Sequence, residues 1–167
     1  MKELVGNCQV CGYEVFCTDG FFNGVVEPEG ITCFSCRDRA VLNSLLNQLL
    51  EAEKAGVETL AFLLESAPDN TLFQHVKEDE AWSCRGLIES IRREKGQMST
   101  NTGDFTDKVK ALPTQKEQLQ LLNKGQSWVV RKIDQALKLD MEPETKQFLF
   151  EMKQRHTQNI EECERLI

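Results

Sequence analysis

The sequence lacks any long apolar run and any excess of basic residues. No stretch of about 18 apolar residues occurs, so we expect no membrane-spanning helix. The 167 residues include 20 Lys and Arg against 27 Asp and Glu, which argues against nucleic-acid binding because phosphate contacts need a basic face. The opening MKELVGNC lacks the apolar core of a signal peptide. We therefore expect a cytoplasmic protein whose partners are neither membranes nor nucleic acids.

Common catalytic motifs are missing as well. The chain has no glycine-rich phosphate loop, no nucleophile elbow and no Cys/His catalytic pairing, so no catalytic residue is assigned. With 40% hydrophobic and 28% charged residues, the composition is that of an ordinary globular protein. The length suffices for one core together with a small module held by a metal.

Four of the seven cysteines form two matched C-x-x-C pairs, Cys8 with Cys11 and Cys33 with Cys36. Each C-x-x-C turn directs two thiolates toward a common centre, and two turns complete a tetrahedral sulfur shell for zinc or iron. The intervening loop has β-prone pieces at 13–17 and 24–27, separated by Gly and Asp turn signals. We predict a ribbon that needs its metal to fold, with Cys17 as a buried apolar residue rather than a ligand.

Four long helices are predicted after this ribbon, which gives a metal-binding domain at 1–38 and a helical domain at 39–167. Leucines recur at helical spacing from Val41 onward, and the predicted helices are 39–66, 70–95, 115–139 and 143–166. Short links join the first helix to the second and the third to the fourth. The segment 96–114 is long enough to cross the length of a bundle. We expect two antiparallel hairpins joined by this crossover, with a disordered surface loop as the alternative.

Each predicted helix carries a polar residue near the middle of its apolar face. These inward-facing residues are Glu53, Glu80, Gln126 and His156. A buried polar group without a partner is unfavourable, so we expect the four side chains to meet in the centre of the bundle.

The ribbon and the bundle together resemble a rubrerythrin, in which a rubredoxin-like module joins a ferritin-like four-helix bundle. CQVCGY is similar to the first rubredoxin knuckle, whereas CFSCRD lacks the Pro and the Gly that usually mark the second. LLEAEKAG and GQSWVVRKI are similar to segments of uncharacterised ferritin-like proteins. The resemblance implies a mostly α fold, with a long crossover between helices two and three and a small N-terminal β module.

The resemblance also implies a ligand pattern for two irons. Di-iron members take one Glu from each of the first and third helices and Glu-x-x-His from each of the other two. Only Glu53 and Glu80 match this pattern. The remaining four positions are occupied by Ser83, Gln126, His156 and Asn159.

This incomplete set leaves three alternatives for the bundle core. The favoured one is a hydrogen-bonded network of the four inward-facing residues without metal. The second is a single ion bound by Glu53, Glu80 and His156. The third is a di-iron site, which needs about four carboxylates. Other carboxylates could complete it if the inward-facing positions of the helices differ by one residue from those given above: Glu51, Glu78 and Asp79.

Two functions of different classes follow. The favoured one is a non-catalytic scaffold or interaction module with one zinc ion at the four cysteines, which acts through a protein partner or a second copy bound through the bundle. The alternative is a rubrerythrin-like oxidoreductase, in which iron at the cysteines passes electrons to a bundle metal that reduces peroxide or oxygen. We favour zinc because a rubredoxin iron is tuned by amide hydrogen bonds from a symmetrical pair of knuckles.

Overall fold

A computed structural model describes all residues of the chain, 1–167. The protein is mostly helical, with a small antiparallel β region at the N-terminus. It divides into two compact units, Met1–Leu42 and Asn43–Ile167, which we call the N-terminal unit and the helical unit. None of the helices combines the length and the apolarity that a membrane crossing requires.

The N-terminal unit contains five short strands in two antiparallel sheets. The first sheet has the order β1 (Lys2–Asn7), β2 (Glu14–Thr18) and β3 (Phe21–Phe22), and the second pairs β4 (Gly24–Glu27) with β5 (Gly30–Cys33). Asp19 and Gly20 connect β2 to β3 with positive φ angles of 50° and 87°, as a type I′ hairpin turn requires. The two β-prone pieces correspond to β2 and β4, whereas the other three strands were not predicted.

Five helices follow. They are α1 (Phe34–Ser66), α2 (Thr71–Arg93), α3 (Phe105–Lys110), α4 (Gln115–Ala136) and α5 (Pro143–Glu164). The predicted start of the first helix, at residue 39, is wrong. Helix α1 begins at Phe34, directly after β5, because residues 34–38 contain neither Gly nor Pro to interrupt it.

Side-chain caps define where two of the long helices begin. Asn70 precedes α2, and its Oδ1 accepts a hydrogen bond of 3.0 Å from the backbone N–H of Phe73. Thr114 precedes α4, and its Oγ1 accepts one of 3.2 Å from the backbone N–H of Glu117. Both caps satisfy N–H groups that the first helical turn leaves without a partner.

A cluster of buried apolar residues defines one end of the helical unit. It contains residues from four helices: Leu60 and Leu63 near the end of α1, Phe73 and Val76 near the start of α2, Leu119 and Leu122 near the start of α4, and Cys163 near the end of α5. The end of α1 therefore lies beside the starts of α2 and α4. It follows that α2 and α4 run in the same direction, whereas α1 and α5 run opposite to them.

The segment between α2 and α4 returns along α1. Near its beginning, Asn47 of α1 donates a hydrogen bond of 2.6 Å to the carbonyl of Gln97 and accepts one of 2.7 Å from the N–H of Ser99. Further along, the hydroxyl of Thr106 in α3 lies 3.1 Å from that of Thr59 in α1. Asn47 and Thr59 are roughly 18 Å apart along the helix axis. The segment thus packs against α1 as a crossover and does not form a disordered loop.

Candidate metal centres

The four cysteines of the two C-x-x-C pairs lie together in the N-terminal unit. The Sγ atoms of Cys8, Cys11, Cys33 and Cys36 all lie within 4.8 Å of one another, and those of Cys11 and Cys33 are 3.8 Å apart. Four converging sulfur atoms form a ligand set that suits zinc or iron. Cys17 lies outside this cluster, and it is half-buried rather than buried as predicted.

The two pairs reach the cluster through different local structures. The first is a tight turn in which the N–H of Gly12 donates to the carbonyl of Cys8 at 2.8 Å. Gly12 has a φ of 76°, and an added Cβ would contact nothing, so the backbone angle is what requires glycine. In the second pair, Cys33 ends β5 and Cys36 lies in the first turn of α1. The second pair is therefore a strand-to-helix junction and not a second turn of the predicted kind.

The pKa values of two of these thiols are shifted in opposite directions. The backbone N–H of Cys33, which lies 3.3 Å from Cys8 Sγ, and that of Cys11 lower the pKa of the Cys8 thiol to about 6. Burial and the neighbouring cysteine sulfurs raise the pKa of the Cys36 thiol to about 12. Four thiolates therefore coexist at neutral pH only when a cation compensates their charge.

A second cluster lies in the helical unit, where three helices each contribute one ionisable side chain. The ligand atoms of Glu53 in α1, Glu80 in α2 and His156 in α5 lie within 4.8 Å of one another. Nε2 of His156 is 3.1 Å from Oε1 of Glu53 and 3.9 Å from Oε1 of Glu80. The three residues are at most 3% exposed. We call this group the buried triad.

The hydrogen bonds of His156 identify its protonated nitrogen. Nδ1 lies 3.0 Å from the backbone carbonyl of Met152, and because a carbonyl only accepts, Nδ1 carries the proton in the neutral ring. The lone pair of Nε2 then faces the carboxyl groups. Neither Nε2 nor either carboxyl oxygen of Glu53 has a hydrogen-bond partner. This is the arrangement of a metal-binding histidine, whose other N–H is held by a backbone carbonyl.

Burial strongly perturbs both glutamates of the triad. It raises the pKa of Glu53 to about 8, although contacts with Glu80 and Ser83 partly offset the effect. Burial and the nearby charge of Glu53 raise the pKa of Glu80 well above its ordinary value. Without a metal ion, the triad therefore retains protons at neutral pH.

Gln126 does not share hydrogen bonds with the triad, contrary to the predicted four-residue network. Its Nε2 donates to Oδ1 of Asn123 at 3.3 Å and lies 3.9 Å from Sγ of Cys163. Cys163 follows His156 by about two helical turns, so Gln126 contacts α5 at a different height. Its Oε1 is buried without a partner.

The carboxylates proposed to complete a di-iron site have other surroundings. Glu78 is exposed, and Glu51 accepts a short hydrogen bond from the hydroxyl of Ser99. Asp79 is buried, but its two oxygens accept hydrogen bonds from Arg155 at 2.8 Å and from Asn159 at 3.0 Å. None of the three is a free carboxylate in the triad.

The pair formed by Asp79 and Arg155 is a neighbour of the triad that sequence reasoning missed. The negative charge of Asp79 raises the pKa of both Glu53 and Glu80. The available signal was adjacency, because Asp79 directly precedes Glu80 and Arg155 directly precedes His156.

Together, the fold and these clusters define a mostly helical protein with two candidate metal-binding centres. Residues 40–165 match a family described as a domain of unknown function, DUF6306, and the chain belongs to this family. No curated protein and no solved structure matches the chain. The matched region contains all three residues of the triad and none of the four clustered cysteines.

Proposed function

We propose that the protein is a metal-binding protein in which one zinc ion, held by Cys8, Cys11, Cys33 and Cys36, stabilises the N-terminal unit. The observation that carries this proposal is the convergence of the four sulfur atoms within 4.8 Å. The unit has little core of its own, since its only buried apolar residues are Cys8, Val15 and Leu42. A domain with so small a core generally depends on a metal or a disulfide.

Zinc rather than iron is supported by the asymmetry of the two pairs. The first pair lies in a glycine-containing turn, and the second spans the junction of β5 and α1. A rubredoxin-like iron site depends on matching amide hydrogen bonds to sulfur from both pairs. We infer a zinc-ribbon-like module that is related to rubredoxin in its first pair only.

We further propose that the helical unit is a degenerate ferritin-like bundle. Its support is the parallel course of α2 and α4 together with the crossover along α1, which is the connectivity of ferritin-like folds. Three of the six expected di-iron ligand positions hold Ser83, Gln126 and Asn159, which cannot supply the charge that two irons need.

The buried triad is proposed to hold a single divalent ion, iron or zinc. Two carboxylates and an imidazole suit such ions, and the unpartnered atoms of Glu53 and His156 supply the lone pairs. A bound ion would replace the protons that the triad otherwise retains. The preference for a metal-free network, which the sequence favoured, is replaced by this proposal.

An interaction role is supported by the surface of the N-terminal unit. Besides Met1, four large apolar side chains there are at least 69% exposed: Val10, Tyr13, Phe21 and Val26. Large apolar side chains left exposed on so small a unit favour binding to another protein. The alternative role, a non-haem oxidoreductase of the rubrerythrin kind, is favoured by a different observation: three protein ligands leave coordination positions open, as in catalytic metal sites.

Elemental analysis of protein produced with zinc and iron both available tests the cysteine site. We expect one zinc ion that is lost in Cys33→Ser and retained in Cys17→Ser, because Cys17 lies outside the cluster. Iron at this site, with the red absorption of an iron thiolate, would contradict the proposal.

Peroxide consumption separates the two roles. For the scaffold, we expect the iron-loaded protein to consume peroxide no faster than the Glu53→Ala variant. Turnover in the wild type that Glu53→Ala abolishes would favour the oxidoreductase.

A further inference from the structure

A cavity of about 420 Å³ lies among the helices of the helical unit. Most of its wall is apolar and comes from α1, α3 and α4; the principal residues are Ala52, Ala55, Phe105, Leu122 and Val129. The volume and the apolar lining are those of pockets that bind small organic molecules. Nothing in the proposed metal chemistry requires a cavity of this size.

Two basic side chains lie at the opening of the cavity. Lys124 and Arg131 both line it, and both are exposed. They lie seven residues apart on α4, with Trp128 between them on the same face. Neither cation has a carboxylate within ion-pair distance. In a chain with a net charge of −7, two unpaired cations at an apolar opening favour an anionic group there.

Deeper in the cavity, the wall contains a buried acceptor without a donor. Glu80 and Gln126 both line it and are only 3% and 2% exposed. Oε1 of Gln126 has no hydrogen-bond partner, and a buried carbonyl oxygen without a donor is unfavourable. This part of the cavity therefore suits a hydroxyl group.

We propose that the cavity binds an amphipathic organic carboxylate. Its carboxylate lies between Lys124 and Arg131, its apolar body contacts Ala52 and Phe105, and a hydroxyl group at its inner end donates to Oε1 of Gln126. The gradient from cations at the opening to acceptors inside fixes this orientation. The proposal goes beyond metal binding and does not depend on it.

Isothermal titration with three probes of equal chain length tests the proposal: decanoate, its ω-hydroxy derivative and decylammonium. We expect decanoate to bind and the ω-hydroxy derivative to bind more tightly, because its hydroxyl group can donate to Gln126 and decanoate has no donor at that end. Decylammonium is expected to bind more weakly than either, because its charge matches that of the opening. Absence of binding by both carboxylates, or equal binding of decylammonium, would overturn the proposal.

Variants locate the binding site. Arg131→Glu is expected to weaken decanoate binding by about fivefold, the upper range for exposed ion pairs, whereas Lys116→Glu, an exposed charge reversal elsewhere on α4, leaves it unchanged. Gln126→Leu should make decanoate and its ω-hydroxy derivative bind equally. Ala52→Phe fills the cavity and should abolish binding. A folded Ala52→Phe protein that binds decanoate as the wild type does, or equal effects of the two charge reversals, would refute this location.

Discussion

Nε2 of His156 lies 3.1 Å from Oε1 of Glu53, and both side chains are completely buried. Nδ1–H donates to the carbonyl of Met152. In the neutral ring, Nε2 therefore faces Glu53 with only a lone pair. Two acceptors at this distance repel unless a cation lies between or beside them. The cation is either a proton, which makes His156 an imidazolium or Glu53 an acid, or a metal ion.

Replacement of Glu53 distinguishes these two cases. We expect Glu53→Ala to abolish binding of the metal ion in the helical unit and to leave zinc at the four cysteines unchanged, because the two clusters share no residue. The measurement is the metal content of each variant together with titration of the apoprotein with Fe²⁺ or Zn²⁺. Glu78→Ala is the matched control, since Glu78 is an exposed carboxylate on α2.

The conservative variant gives the opposite test. If protons alone hold the triad together, Glu53→Gln should leave the stability nearly unchanged below pH 4.5, where the carboxyl group of the wild type is protonated in both the folded and the unfolded state, because the amide resembles a protonated carboxyl group. Wild-type protein that binds no ion in titration and matches Glu53→Gln in stability would rule out a metal at the triad.

Helical periodicity predicted the triad because burial of a residue depends on its position around a helix axis. Glu53, Glu80 and His156 each fall within an apolar stripe, and each is buried. Gln126 also falls within such a stripe and is buried, yet it contacts Asn123 and Cys163 instead. Periodicity does not encode how far one helix slides along another, which depends on side-chain packing across the interface.

The β region was less predictable for a related reason. Strand β1 pairs with β2 through a register that shifts between Leu4 and Gly6, and β5 pairs with β4. Short strands are specified by pairing with distant segments more than by their own sequence. Local propensity therefore found β2 and β4 but not their partners.

The raised pKa of Glu53 predicts that the metal-free helical unit loses stability as the pH increases. The unfolded chain releases this proton near the ordinary pKa of 4.5, whereas the folded protein retains it up to about 8. Between these values the folded state binds more protons, so the free energy of unfolding decreases with pH. The stabilisation is complete below the lower value and lost above the higher one, and it amounts to roughly 3 to 5 kcal/mol at most.

Urea unfolding of the metal-free protein at a series of pH values measures this slope. Glu53→Gln should reduce it to the part that comes from Glu80, whereas Glu78→Gln should retain it. The affinity for metal should change in the opposite direction and increase with pH, because binding displaces the proton. A pH-independent stability in the metal-free wild type would show that Glu53 has an ordinary pKa.

Gly56 provides a test of the position of Glu80. A Cβ added at Gly56 would overlap the carboxyl group of Glu80, so Gly56→Ala must displace that group from the triad. An alanine in place of glycine within a helix ordinarily stabilises by about 1 kcal/mol. We expect the reverse here, with weaker metal binding by the triad and a lower melting temperature.

Gly103→Ala is the control for Gly56→Ala. Gly103 has no atom within 4 Å of an added Cβ and no unusual φ, so neither metal binding nor stability should decrease. If Gly56→Ala binds metal as well as Gly103→Ala does, Glu80 does not act as a ligand from the position described.

The crossover depends on a buried pair of hydroxyl groups, and a double-mutant cycle measures their coupling. Thr59 and Thr106 are at most 3% exposed, and their Oγ1 atoms are 3.1 Å apart. Thr106→Val leaves the buried hydroxyl of Thr59 without its partner and should destabilise by about 1 to 3 kcal/mol. Thr59→Val should destabilise less, because the hydroxyl of Thr106 still donates to the carbonyl of Ala55 at 3.3 Å. The double variant removes both hydroxyls and should lose less than the sum, with a coupling of roughly 0.5 kcal/mol or more. Additive losses in urea unfolding would mean that the two hydroxyls do not interact and that Thr106 contacts α1 through the carbonyl of Ala55 instead.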